Sequence, residues 1–168
     1  MGQPWGPQFN LTYNLAFAHR SSQIPQGAGW NSIGPLLAES EGIARAHGFS
    51  AEHARIQALI NKYQGKSVPS GELNALLQSC LGGDNYRHAG AHLGWARGSC
   101  AIGIVNPNDP AIPGALRDQI QDTFNFLQRA GAKSVAQSLK NGALKEADKG
   151  TLSYHAVLQQ IERFMVLI

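Results

Sequence analysis

SGELNALLQSCLGGDNYRHAGAHLGWARGSC, residues 70–100, is the stretch whose reading decides the fold. It reads as two helices joined at Gly82-Gly83. In the first, Leu73, Leu76, Leu77, Cys80 and Leu81 stand at i, i+3, i+4, i+7 and i+8, which puts all of them on one face of a 3.6-residue repeat. Ser70 can accept from the free N–H groups of the first turn, and Gly82 can take the left-handed conformation that ends a helix. In the second helix Asp84 is a natural N-cap, a carboxylate at the positive end of the helix dipole. Gly90, Gly94 and Gly98 then recur every four residues and stack bare backbone on one face. Each costs about 1 kcal/mol relative to alanine inside a helix, so the spacing calls for something packed close against it. Two occupants fit: Leu or Trp side chains of this same chain, or the helix of a neighbouring subunit, as in G-x-x-x-G pairs of membrane helices.

Composition bounds the rest. A chain of 168 residues suits one domain that buries a core without disulfide or metal staples. Charged residues make up only 15% and there are 19 glycines, the mark of a neutral, loop-punctuated globular chain rather than a disordered one. The net charge is +3, but Arg45, Arg55, Arg87, Arg97, Arg117, Arg129 and Arg163 are scattered singly among acids. Nucleic-acid contact is therefore possible but not indicated. Cys80 and Cys100 sit in apolar or small-residue surroundings, which suits reduced, buried thiols, although a disulfide between them is also open. Neither belongs to a C-x-x-C pair, so zinc and redox motifs are absent. Residues 1–10 lack the basic-then-apolar order of a secretion signal, and Gly6 stands where a myristoylation motif needs Ser or Thr. No apolar run approaches the roughly 18 residues of a membrane span. The expectation is a cytoplasmic protein, with no membrane partner and no cofactor.

Residues 1–34 read as an arm dense in Pro, Gly and Gln, anchored by Trp5, Phe9 and Trp30. Within it Leu11, Tyr13, Leu15 and Phe17 alternate with Asn10, Thr12, Asn14 and Ala16, a period of two that favours a short strand or hairpin, with a helix of similar length also open. Residues 35–168 read as a single helical domain. Pro35 opens a helix that stops at His47-Gly48, and Ser50 caps another that runs to Gly65. The pair at 70–100 follows. NPNDPAIPG, residues 106–114, is stiff and helix-free. Leu116, Ile120, Phe124 and Leu127 define one further helix, Val135 to Leu139 a shorter one, and Tyr154 to Ile168 the most regular of all. The fold class predicted is all-α, a compact bundle of six or seven short helices behind a Pro/Gly-rich N-terminal arm.

Chemistry has few places to hide. His88 and His92 are one turn apart and could project together as zinc-binding pairs do, with Asp84 one turn earlier as a third ligand. The acid of an H-E-x-x-H motif is missing, because Ala89 follows His88. Gly-Ser-Cys-Ala around Cys100 matches no thiol-nucleophile signature, and no phosphate loop or dinucleotide fingerprint is present. No catalytic residue is assigned. The interface candidates are Gly90, Gly94 and Gly98 with Trp5, Trp30 and Trp95, for which core packing is the alternative role.

With the helices in order, ARAHG at 44–48, FSAEHARIQALINKY at 49–63, VPSGELNALL at 68–77 and LGGD at 81–84 can be taken together. The segment 36–97 resembles the N-terminal domain of retroviral Gag capsid proteins, the betaretroviral kind in particular. In that family a first helix ends in glycine, a Ser/Thr/Pro-opened second helix follows, a third begins after a Pro-containing turn, and a Gly-Gly-Asp-like turn leads into the fourth. The chain departs from it in one extra residue at VPSGELN, in opening with Met1-Gly2 rather than a free proline, and in lacking a complete second capsid domain and a Cys-His zinc knuckle. The resemblance implies a structural subunit that packs with copies of itself or within a larger assembly, and a place within a viral particle as the alternative to the cytoplasm. The alternative class is a small helical metal-dependent enzyme or ligand-binding module using the His88/His92 pair.

Overall fold

The computed structural model describes residues 2–24 and 27–168. Among them the chain forms eight helices and no strand. They are α1 (Gly6–Ser21), α2 (Trp30–Ala46), α3 (Ser50–Tyr63), α4 (Ser70–Leu81), α5 (Asn85–Val105), α6 (Ile112–Arg129), α7 (Lys133–Leu139) and α8 (Tyr154–Met165). Between the last two, α7 runs on through a π-helical stretch, Lys140–Leu144, and a final α turn, Lys145–Ala147.

The architecture has three layers. α1 and α5 lie against each other in the middle; α2, α3 and α4 cover one side of this pair and α6, α7 and α8 the other. Two cores result. Phe9 and Tyr13 of α1 join Leu93, Ala96 and Cys100 of α5 in the core shared with Leu116, Ile120, Leu139 and Ile161. Leu11, Leu15 and Ala18, on the other flank of α1, join Ile33, Leu37, Ile56, Leu73 and Leu77. Because α1 feeds both cores, it is buried on nearly every side, at Phe9, at every residue from Leu11 to Ala16 and at Ala18.

This corrects the expectation for residues 1–34. No strand or hairpin forms at 11–17, and the boundary drawn at residue 34 falls inside α2. A helix enclosed on all sides has no wet face to show a 3.6-residue period, so the alternation of Leu11, Tyr13, Leu15 and Phe17 with smaller or polar residues imitates a strand. Pro7, in the first turn where its missing N–H is harmless, opens α1. Two polar contacts tie this helix to its neighbours: Thr12 Oγ1 donates to the Arg87 carbonyl at 2.6 Å, and Ser40 Oγ of α2 donates to the Leu11 carbonyl at 3.3 Å. Ahead of α1, the Gln3 N–H donates to the Ile168 carbonyl at 2.6 Å and ties the two ends of the chain together.

Other boundaries shift for identifiable reasons. α2 starts at Trp30, leaving Pro35 inside the helix on its exposed side. The loop after α5 ends early, since α6 begins at Ile112 and takes Pro113 into its first turn. Gly82, with φ of 56°, ends α4 as its sequence position suggests, whereas Ser70 makes no capping bond and is simply the first residue of that helix. The Asp84 carboxylate accepts from the backbone N–H groups of Tyr86 at 2.8 Å and Arg87 at 3.2 Å. α3 is pinned to the start of α5 by a mostly buried ion pair, Arg87 Nη2 to Glu52 Oε2 at 2.7 Å.

Candidate functional site

The glycine face of α5 is occupied by this chain's own α1. A Cβ on Gly90 would collide with the Phe9 carbonyl and come within 2.6 Å of Thr12 Oγ1. One on Gly94 would collide with the Tyr13 carbonyl and reach 2.9 Å from Ala16 Cβ, and one on Gly98 would meet Arg20 Cγ at 2.5 Å. Gly90, Gly94 and Gly98 are therefore not an interface for a second subunit, and neither Leu nor Trp side chains fill the groove. α1 does, with its backbone against Gly90 and Gly94 and the Arg20 side chain against Gly98, since only bare backbone on α5 lets α1 approach this closely.

The tryptophans also work within the chain. Trp5 stacks on Tyr86 with centroids 4.4 Å apart and planes 10° from parallel, and the Tyr86 hydroxyl donates to the Ala130 carbonyl at 3.1 Å. Trp30 folds over its own helix onto Gly34, where a Cβ would stand 2.7 Å from the indole. Trp95 Nε1 donates to His19 Nδ1 at 3.0 Å. All are partly buried.

His88 and His92 do project from one side of α5, but onto an aromatic ring and not toward a shared ligand. Both imidazoles lie nearly parallel to Phe126 of α6, at centroid distances of 5.1 and 5.3 Å. His88 Nε2 is within 2.8 Å of the Gly82 carbonyl, and His92 Nδ1 stands 3.7 Å from Asp122 Oδ2. Asp84 is committed to the N-terminus of α5. Among the described residues no group of three or more His, Cys, Asp or Glu side chains is placed to hold a metal ion. Burial lowers the pKa of His92, partly offset by Asp122, and burial together with Arg20 lowers that of His19. Both rings thus favour the neutral form that their contacts use. The cysteines are free and buried in different cores, Cys80 with α2–α4 and Cys100 with α6–α8. Burial raises the Cys80 thiol and pushes Cys100 up to about 12, the opposite of what a nucleophilic thiolate needs.

What the helix packing leaves open lies elsewhere. α3 and α4 form an antiparallel pair bridged at both ends: Arg55 Nη1 donates to the Ser79 carbonyl at 2.9 Å, and at the other end Glu72 Oε1 accepts from Lys62 Nζ at 3.4 Å and from the Tyr63 hydroxyl at 3.2 Å. Between these bridges the helices diverge around a cavity of about 330 Å³ lined by Ala58, Leu59, Ala75 and Leu76. Seven residues separate Arg55 from Lys62, so the socket is roughly 10 Å long at helical rise, the size of one or two apolar side chains. On the far side of the molecule, at the end of α8, Val166 is 82% and Leu167 42% exposed. The socket escapes a sequence reading because the exposed part of its wall is Ala58 and Ala75, ordinary helix formers with no signal of their own.

Fold and site together define an all-helical protein in which a central helix pair divides two cores. No family model, curated protein or solved structure matches the chain.

Proposed function

We propose that the chain is a structural subunit that packs with copies of itself, the socket between α3 and α4 of one copy receiving Val166 and Leu167 of the next. The observation that carries this reading is the pairing of an open apolar socket with an exposed apolar knob on one molecule. The two cannot meet within a chain, because α3 and α4 make no contact with α6, α7 or α8 across the central pair. A knob and a socket on opposite faces generate a head-to-tail contact, which closes into a ring or grows as a filament. The resemblance of residues 36–97 to capsid subunits, which act through helix contacts between copies, points the same way.

The contact is weak taken singly. Burying a Val or Leu side chain contributes about 1.5–3 kcal/mol, against an association cost of about 4–15 kcal/mol in lost rigid-body freedom. A lone contact is then no tighter than about 1 mM, and a closed ring, which holds each copy twice, is the form that gains.

Site-directed cross-linking tests the reading. Ala75→Cys chains mixed with Val166→Cys chains and mildly oxidised are expected to give a mixed disulfide dimer, with Cys80 and Cys100 too buried to compete. Ala75→Cys mixed with His155→Cys, an exposed position at the other end of α8, sets the collisional background. A yield no higher than that background contradicts the proposed contact.

A further inference from the structure

A second cavity, of about 400 Å³, opens where the two cores meet, and α1, α2, α5 and α8 each supply a wall. Its lining is polar in an unusual way. Asn14 of α1 is 5% exposed, yet its carboxamide makes no hydrogen bond to any described residue and lines this cavity. Among the described residues the one fully enclosed side-chain polar atom without a partner is Gln8 Oε1, so the Asn14 amide still opens to this cavity and is free to serve a ligand there. Asn10, one turn earlier on the same helix, lines the cavity beside it.

The charges are arranged as unusually. Arg97 of α5, Glu39 of α2 and Glu162 of α8 all border the cavity, and no one of them forms an ion pair with another or with any described residue. The Arg97 guanidinium is instead fixed from behind, over the Phe17 ring at 4.4 Å and donating to the Tyr13 hydroxyl at 3.2 Å. Tyr13 is held as a neutral phenol, its pKa raised to about 12 chiefly by burial. A positioned cation and two carboxylates therefore face one small space without neutralising each other, while Leu36 and Met165 give that space an apolar side. The volume lies within the range of small-molecule sites, which favour junctions between packed units, while the lining is more polar than most of them.

We infer that this cavity binds a small zwitterion of the amino-acid class, its carboxylate received by Arg97 and Asn14, its ammonium by Glu39 and Glu162, and an apolar side chain resting on Leu36 and Met165. A guanidinium gives a carboxylate two directed N–H donors, and the Asn14 amide adds an N–H donor beside it. Either half-charged relative of the ligand leaves one set of charges unmatched, so the site discriminates by charge at both ends. The assignment is independent of self-association, because the cavity and the α3–α4 socket share no residue.

Isothermal titration of the full chain with the free amino acids leucine, isoleucine, valine, methionine and phenylalanine tests it. At least one is expected to bind saturably, with its amide and its des-amino acid each at least about tenfold weaker, a difference of about 1.4 kcal/mol. Glu162→Gln, at an exposed residue without an ion-pair partner among the described residues, and Asn14→Leu, which removes the amide from the cavity wall, are each expected to weaken binding by a similar factor while circular dichroism stays unchanged. No saturable binding by any of the five overturns the inference. So does equal binding of the half-charged analogues, or binding unaffected by Glu162→Gln.

Discussion

Gly94→Ala sets two opposed and calculable effects against each other. Alanine is the better helix former by about 1 kcal/mol, and on an open helix face the substitution would stabilise the chain by about that much. At position 94 the new methyl group meets the Tyr13 carbonyl and stands 3.0 Å from the Phe17 backbone nitrogen. These are backbone atoms of a buried helix, so no side chain can rotate away and α1 must lift from α5. Overpacking of this kind costs about 1–3 kcal/mol, sometimes more, and it also opens the two cores that α1 separates. We expect net destabilisation of about 1–3 kcal/mol, which for a chain of this size lowers the melting temperature by roughly 2–4 °C for each kcal/mol. Gly42 in the middle of α2 provides the matched control, since its added Cβ would find only Arg45 Nη2, at 3.9 Å. Gly42→Ala is expected to raise stability by about 0.4–1 kcal/mol. Thermal unfolding followed by circular dichroism reads both. A Gly94→Ala protein as stable as the parent would refute the close approach of α1 to α5.

Three further outcomes are expected. Ile161→Ala removes a fully buried side chain and should cost about 2–5 kcal/mol in denaturant unfolding, whereas Leu158→Ala, at the partly buried neighbouring position, should cost less; equal losses would place the α8 face wrongly. His88→Ala with His92→Ala strips both imidazoles from Phe126 and should destabilise by about 0.5–1.5 kcal/mol for each stacked pair, while prior treatment of the parent with EDTA should leave its melting temperature unchanged; a drop caused by the chelator would restore the metal reading. The histidines also predict a pH dependence. His19 and His92 have folded pKa values below the unfolded imidazole value of 6.5, so the unfolded chain binds more protons, and the stability present above pH 6.5 is lost as pH falls through the folded values. The melting temperature should fall below about pH 6.5, and His19→Gln combined with His92→Phe should flatten that slope; an unchanged slope would assign it to other groups.

The sequence and the structure part company where burial is most complete. α4 and α8 each carry one wet face, so the spacing of Leu73, Leu76, Leu77 and Cys80, and of Val157, Ile161 and Phe164, announces their helices correctly. Asp84 was legible as a cap because capping is local chemistry, settled within three residues. α1 was not legible, for it serves both cores and its polar contacts reach distant segments, the Thr12 hydroxyl bonding to Arg87 and the Leu11 carbonyl to Ser40. The glycines of α5 told of a close neighbour but not which one; the neighbour proved to be the segment that had been read as an arm. His88 and His92 were correctly placed on one side of a helix, yet Phe126, which gives them their role, lies on another helix and leaves no mark near them. The socket of Ala58 and Ala75 and the cavity at Asn14 arise only from how helices diverge, which no local pattern encodes.

The central claim about function is that copies associate through the α3–α4 socket now that α1 occupies the glycine face. Sedimentation velocity over a concentration series, on the parent chain and on Ala75→Arg, tests it most directly. Position 75 is exposed, and an arginine there places a charged side chain in the socket. The account predicts a sedimentation coefficient that rises with concentration above that of the 18.0 kDa chain and a variant that folds but remains a monomer throughout. A parent chain that stays monomeric at every concentration, or a variant that associates as the parent does, would contradict it.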